Sequence, residues 1–314
     1  MHSFCLYYII NEQGLNSATN CRRRQQEETG GKIMQTIPSY KLRNGVEIPA
    51  VGFGCYKLAT DEVNELMRQA YDNGYRHFDT ASFYGTEEGM GDAFKTLGID
   101  RKSLFLTSKA WKTELDDVES AFYATLKRLK TDYLDLYLIH WPRPDLSDPS
   151  WAETDLKAWH VMEKLYKKGD VRAIGVSNFL PQHLLPLLAD CEVAPMVDQL
   201  EIHPGYGQEC AVSFAKEHGI QMEAWSPLSR GRVTSHPLLQ ELAEKYGCST
   251  AQICLHYAVQ QGIIPLPKSS SPERMRQNLD VFSFSLSEED LYRLRTMPQA
   301  GWSGEHPDFE RVFF

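Results

Sequence analysis

Eight short apolar runs recur along this chain, at residues 51–54, 77–79, 104–109, 134–140, 173–177, 196–201, 221–225 and 264–267. Between them lie stretches such as 61–73, 116–130, 153–168, 181–189, 209–218 and 250–261, whose apolar residues fall three and four apart, as on one face of a helix. A strand that reaches the next strand through a helix must pair with it in parallel, because the crossover returns the chain to the end it left. Eight such units predict an α/β fold, a (β/α)8 TIM barrel, whose site residues come from the carboxyl ends of the strands. The run 134–140 supports this: Leu134, Leu136, Leu138 and His140 share one face, Tyr137 and Ile139 the other, and both faces are apolar, as a strand covered on two sides requires.

The remaining sequence reads as additions to the barrel. At 40–49, Asn44-Gly45 lies between alternating residues and predicts a hairpin ahead of the first barrel strand. Residues 1–33 carry polar and charged residues without periodicity and are read as a disordered extension, with the barrel domain over 34–314; Met34 as the true initiation site is the other reading. The net charge of −9 argues against a nucleic-acid partner held through phosphates. No stretch approaches the roughly 20 apolar residues that cross a bilayer. Seven scattered cysteines, with no C-x-x-C pair, point away from a disulfide framework and toward a reducing, cytoplasmic setting.

The chemistry-bearing residues cluster at predicted strand ends. Asp79 closes the run 77–79 and Tyr84 follows in the loop; Lys109 closes the third run and His140 the fourth, just before Trp141-Pro142. Each has an ordinary reading alone: an aspartate capping its loop, a core tyrosine, a lysine reaching solvent, a structural histidine. Consecutive strands lie about 4.8 Å apart, so the four side chains can meet. An ammonium between a carboxylate and a phenol would favour phenolate and lower the Tyr84 pKa, and His140 could orient a substrate oxygen.

Other motifs fail on inspection. Gly52-Phe53-Gly54 and Gly89-Met90-Gly91 lack the third glycine of a dinucleotide fingerprint, since Lys57 and Phe94 occupy its place. Gly175-Val176-Ser177-Asn178-Phe179 lacks the closing glycine of a nucleophile elbow. There is no H-E-x-x-H metal motif.

Taken together, Gly74-Tyr75-Arg76-His77-Phe78-Asp79-Thr80 with Tyr84-Gly85, Leu106-Thr107-Ser108-Lys109, Asp135-Leu136-Tyr137-Leu138-Ile139-His140-Trp141-Pro142, Gly175-Val176-Ser177-Asn178-Phe179 and Pro265-Leu266-Pro267-Lys268-Ser269 resemble the aldo-keto reductase superfamily, in its prokaryotic diketogulonate reductase-like branch. The resemblance spans about residues 37–309. It implies Tyr84 as general acid, Lys109 and Asp79 as the groups that tune it, and His140 as the group that positions a carbonyl.

It also implies NADP(H) in an extended pose: Ser177, Asn178 and Gln199 at the nicotinamide carboxamide, Trp225 stacked on the ring, Ser226, Leu228 and Ser229 in the loop after strand seven, Lys268, Ser269, Ser270 and Arg274 at the adenosine 2′-phosphate, and Asn278 at the adenine. Tyr56, Trp111 and Trp141 would flank a small-molecule carbonyl substrate, and the tail at 301–308 would form a substrate loop closing over it. Three positions depart from the common pattern, with Gln277 for Glu, Asp198 for Asn and Cys55 for Thr. The expected protein is a monomeric NADPH-dependent reductase of aldehydes or ketones. A silent NADPH-binding barrel with a structural or regulatory role is the alternative, and a barrel isomerase or hydrolase without nicotinamide a more distant one.

Overall fold

Antiparallel pairing of Ser39–Lys41 (β1) with Glu47–Pro49 (β2) sets Tyr40 opposite Ile48 and forms the expected hairpin. The tight turn runs from Leu42 to Gly45, whose N–H donates to the Leu42 carbonyl at 2.8 Å, and Gly45 takes φ +89°. Glycine is required one residue after the turn centre, where a left-handed residue lets the strand resume with the right twist. The structure, a computed structural model, describes residues 37–313. The extension read at 1–33 lies outside the described residues.

The eight predicted runs each form a strand: Phe53–Gly54 (β3), His77–Asp79 (β4), Phe105–Ala110 (β5), Leu136–Ile139 (β6), Ile174–Ser177 (β7), Val197–Glu201 (β8), Gln221–Trp225 (β9) and Ile264–Pro265 (β10). They pair in parallel in chain order from β3 to β10. The amides of Gly52 and Gly54 then donate at 3.1 Å to the carbonyls of Pro265 and Pro267, joining the last strand to the first and closing the (β/α)8 barrel. Gly54 permits this seam, because a Cβ there would lie 2.8 Å from the Leu266 carbonyl oxygen.

The helices are Val63–Asn73 (α1), Glu87–Thr96 (α2), Val118–Leu129 (α3), Trp151–Lys168 (α4), Pro181–Asp190 (α5), Glu209–Glu217 (α6), Pro237–Tyr246 (α7), Thr250–Gln260 (α8), Pro272–Leu279 (α9) and Glu288–Arg295 (α10). Each of the six expected from periodicity is present within two residues at either end. In α1 the buried residues Val63, Leu66, Met67 and Ala70 form the stripe that covers the barrel. Ser249 caps α8 by accepting from the Gln252 amide, while Gln252 returns a bond to the Ser249 N–H.

Helix α2 carries two glycines that weaken its signal in sequence. Gly91 packs within 2.7 Å of the backbone of α3 at Leu129, measured from where its Cβ would stand, so it is small for the sake of that contact. Tyr137 packs edge-on against Phe122 of α3, with ring centroids 5.0 Å apart, so it faces the helices. The alternate residues of β6 therefore face the barrel interior, and His140 emerges from that face at its mouth.

Candidate active site

The carboxyl ends of the strands border a cleft of about 900 Å³. At its floor the Lys109 side chain is fully buried and donates to both Asp79 oxygens, at 2.7 and 2.8 Å, and to the Thr80 carbonyl at 2.9 Å. Those three bonds satisfy the ammonium and hold it in one direction. The Tyr84 hydroxyl lies 3.5 Å from Lys109 Nζ and 3.3 Å from His140 Nε2. Tyr84 is carried there by a single helical turn, Ser82–Tyr84, pinned where Ser82 Oγ donates to Glu114 at 2.6 Å. The four residues singled out in sequence thus meet.

The charge states follow from burial. Removal of His140 from water, reinforced by the Lys109 charge, holds its pKa well below the usual imidazole value, so the ring is neutral near pH 7. The expectation that Lys109 makes Tyr84 unusually acidic is corrected: burial pushes the phenol up to about 12, and the ammonium only partly offsets it. Burial is the first cause; Asp79, chelated on the same ammonium, also raises the Tyr84 pKa and so works against part of the Lys109 effect. Tyr84 is therefore fully protonated near neutrality, the state in which a hydroxyl can give a proton.

Beside this centre, polar groups from three strands interlock. Ser177 Oγ donates to the Gln199 carbonyl at 2.9 Å; Asn178 Nδ2 donates to the His140 carbonyl at 2.9 Å; Trp225 Nε1 donates to Asn178 Oδ1 at 2.9 Å. Gln199 Nε2 donates to Asp79 Oδ2 at 2.9 Å and to Glu223 Oε2 at 2.8 Å. Asn178 adopts φ +65°, a left-handed conformation that asparagine tolerates better than most residues.

Ser177, Asn178, Gln199, Trp225, Ser226 and Leu228 line the cleft, and so do Lys268, Ser269, Ser270, Arg274 and Asn278. Ser271 caps α9 there, accepting from the Arg274 amide, and directs the helix amino terminus to the same region. Ser229 lies in the loop after β9, as expected. It is buried and does not line the cleft; its hydroxyl donates to the Gly301 carbonyl at 2.6 Å and ties the loop after β9 to the tail.

Tyr56, Trp111 and Trp141 form an aromatic wall around Tyr84 and His140, with the Tyr56 and Tyr84 ring centroids 4.9 Å apart. Sequence reasoning missed Phe83, which stacks on Trp111 at 4.0 Å, although its place beside Tyr84 was a signal. It also missed Arg230, which lies 3.8 Å from Glu305 of the tail and borders the cleft with it. The tail at 301–308 does reach the site. It is anchored by Ser303, whose N–H and hydroxyl donate to Glu201, and by Asp308, which accepts from Arg143 at 2.6 Å and lies 2.9 Å from His183 Nε2.

Residues 50–297 match the model of the aldo/keto reductase family. The chain belongs to that family. It is 43% identical to the glyoxal reductase of Bacillus subtilis (strain 168), over 85% of this chain and 95% of the relative. To the methylglyoxal reductase DkgA of Escherichia coli (strain K12) it is 36% identical, over 85% of this chain and 96% of the relative. Among solved structures, a Gox0644 mutant in complex with NADPH superposes with a TM-score of 0.81 at 34% identity, covering 88% of this chain and all of that one. The family match begins just after β2 and ends just after α10, so it takes in every strand of the barrel.

Proposed function

We propose that the protein reduces aldehydes and ketones with NADPH, with Tyr84 as the proton donor. The observation that carries this reading is the placement of one protonated phenol between a buried ammonium, at 3.5 Å, and a neutral imidazole, at 3.3 Å, at the floor of the cleft. When bound, the cofactor supplies the hydride. A carbonyl oxygen set against Tyr84 and His140 receives the Tyr84 proton as negative charge develops on it, and the neighbouring Lys109 charge stabilises the phenolate left behind. His140, being neutral, offers Nε2 as an orienting group without competing for the proton.

The rest of the cleft suits the cofactor. The polar set of Ser177, Asn178 and Gln199 carries the donors and acceptors that a carboxamide needs, and the Trp225 ring lies beside them. Lys268, Ser269, Ser270 and Arg274 bring two cations and two hydroxyls to the cleft, where the amino terminus of α9 adds its partial positive charge. A 2′-phosphate is the group these features would hold, which favours NADP over NAD. The aromatic wall of Tyr56, Phe83, Trp111 and Trp141 suits small carbonyls, and the names of the two bacterial relatives put glyoxal and methylglyoxal first among substrates to try.

Replacing Tyr84 by Phe removes only the hydroxyl. We expect kcat for NADPH-dependent reduction of methylglyoxal to fall by about three orders of magnitude, while NADPH binding, followed by nicotinamide fluorescence, is retained. An undiminished kcat in the variant would refute the assignment.

A further inference from the structure

Glu223 lies at the centre of the barrel with no exposure to solvent, in the middle of β9, and the catalytic scheme above does not use it. It sits opposite Gln199 in the β8–β9 register. The one amide nitrogen of Gln199 bridges two carboxyl groups, donating to Asp79 Oδ2 and to Glu223 Oε2. With both amide hydrogens committed, Gln199 is held with its nitrogen toward the carboxyls. The second Glu223 oxygen, Oε1, has no hydrogen-bond partner and lies 3.6 Å from His77 Nε2.

We propose that Glu223 is a positioning residue of the proton-donating centre: through Gln199 it holds the Asp79 carboxylate on Lys109, and the charge it carries sets how strongly Lys109 acts on Tyr84. The proposal rests on the reading of Tyr84 as proton donor. Around Glu223 the titratable groups are His77 and Asp79 of β4 and Lys109 of β5; Gln199 of β8 and Ile264 of β10 face it as neutral neighbours. Beyond them, Cys55 and Tyr84 meet the same Asp79 and Lys109 charges.

When Glu223 is a neutral acid, the buried cluster carries one ammonium and one carboxylate and is balanced. Ionised Glu223 adds a second negative charge next to the ammonium, so less of its field is left to stabilise a Tyr84 phenolate, and the phenol becomes a weaker acid. Burial first, and the Asp79 charge second, push the Glu223 carboxyl up to about 8, so this change falls within an accessible pH range. The neighbouring imidazole does not change state there, since burial holds His77 down at about 3.

The test compares wild type with Glu223→Gln, which keeps the shape but cannot ionise. In wild type, kcat/KM at saturating NADPH falls about tenfold from pH 7 to pH 9; in Glu223→Gln the same interval changes it by less than about twofold, and Glu223→Asp restores the fall. Equal falls in wild type and Glu223→Gln, or no fall in wild type, would overturn the proposal. A second readout needs no turnover. A carboxyl with a raised native pKa makes the native state lose stability as pH rises from its unfolded value, about 4.3, to its folded one. The Tm of Glu223→Gln relative to wild type should therefore climb steadily between pH 5 and pH 8, whereas a purely structural role gives a constant offset and defeats the proposal. Should no carbonyl be reduced at any pH, the function proposed above fails, and the Tm series still decides whether Glu223 carries the titrating charge.

Discussion

Two buried aspartates mark opposite ends of the barrel, and they are treated differently. At the amino end, Asp135 immediately precedes β6, with no exposure, and accepts from Arg101 at 2.7 Å, from Arg172 at 2.6 Å and from the Leu106 amide at 2.9 Å. Both arginines reach water, with side chains 21% and 46% exposed, so the charges are dispersed and every carboxylate oxygen is bonded. At the carboxyl end, Asp79 pairs with an ammonium that has no exposure, and its neighbourhood keeps polar atoms unspent: His140 Nδ1 and Glu223 Oε1 have no hydrogen-bond partner among the described residues. A satisfied network reads as scaffold. One that leaves capacity unused, next to a protonated phenol, reads as machinery that can respond to a substrate.

The comparison predicts that the two ends fail differently. Asp79→Asn leaves Lys109 buried without its counter-charge, which costs about 3–5 kcal/mol of stability and, because the ammonium can then shed its proton, lowers kcat by about a hundredfold or more. Chemical denaturation and steady-state rates on the same preparation would show both losses; full activity would mean that the upper pair is scaffold too. Asp135→Asn should cost about 1–3 kcal/mol, softened because its arginines can turn to solvent, with kcat per folded molecule unchanged. A drop in kcat there would erase the distinction.

The smallest effect is expected at the rim. Asp308→Asn weakens the tail's hold on Arg143 and His183, so KM for methylglyoxal should rise about threefold to tenfold while kcat moves little. A change confined to kcat would mean that the tail serves the chemistry rather than the closure of the cleft.

Much of this is legible in the sequence. Strands β4, β5 and β6 announced themselves by apolar runs that end in Asp79, Lys109 and His140, and a parallel barrel leaves such residues only one mouth to share. Helix α2 was hidden because Gly89 and Gly91 dilute its periodicity, although Gly91 exists for contact with α3. The turn of the Ser229 hydroxyl toward Gly301 was not legible, because a loop's chain position does not say which way a hydroxyl turns. Glu223 was passed over inside an apolar run, yet its spacing two residues before Trp225 was a sign that both face the same side.

Local pattern was enough to determine the barrel, the order of its strands and the meeting of Asp79, Tyr84, Lys109 and His140, because strand alternation and strand-end position are properties of adjacent residues. Only the tertiary structure decided the direction of the Tyr84 pKa and the place of Glu223 beside Gln199. Desolvation and the cancellation of one buried charge by another depend on distances between residues far apart in the chain, and no pattern along the sequence encodes those distances.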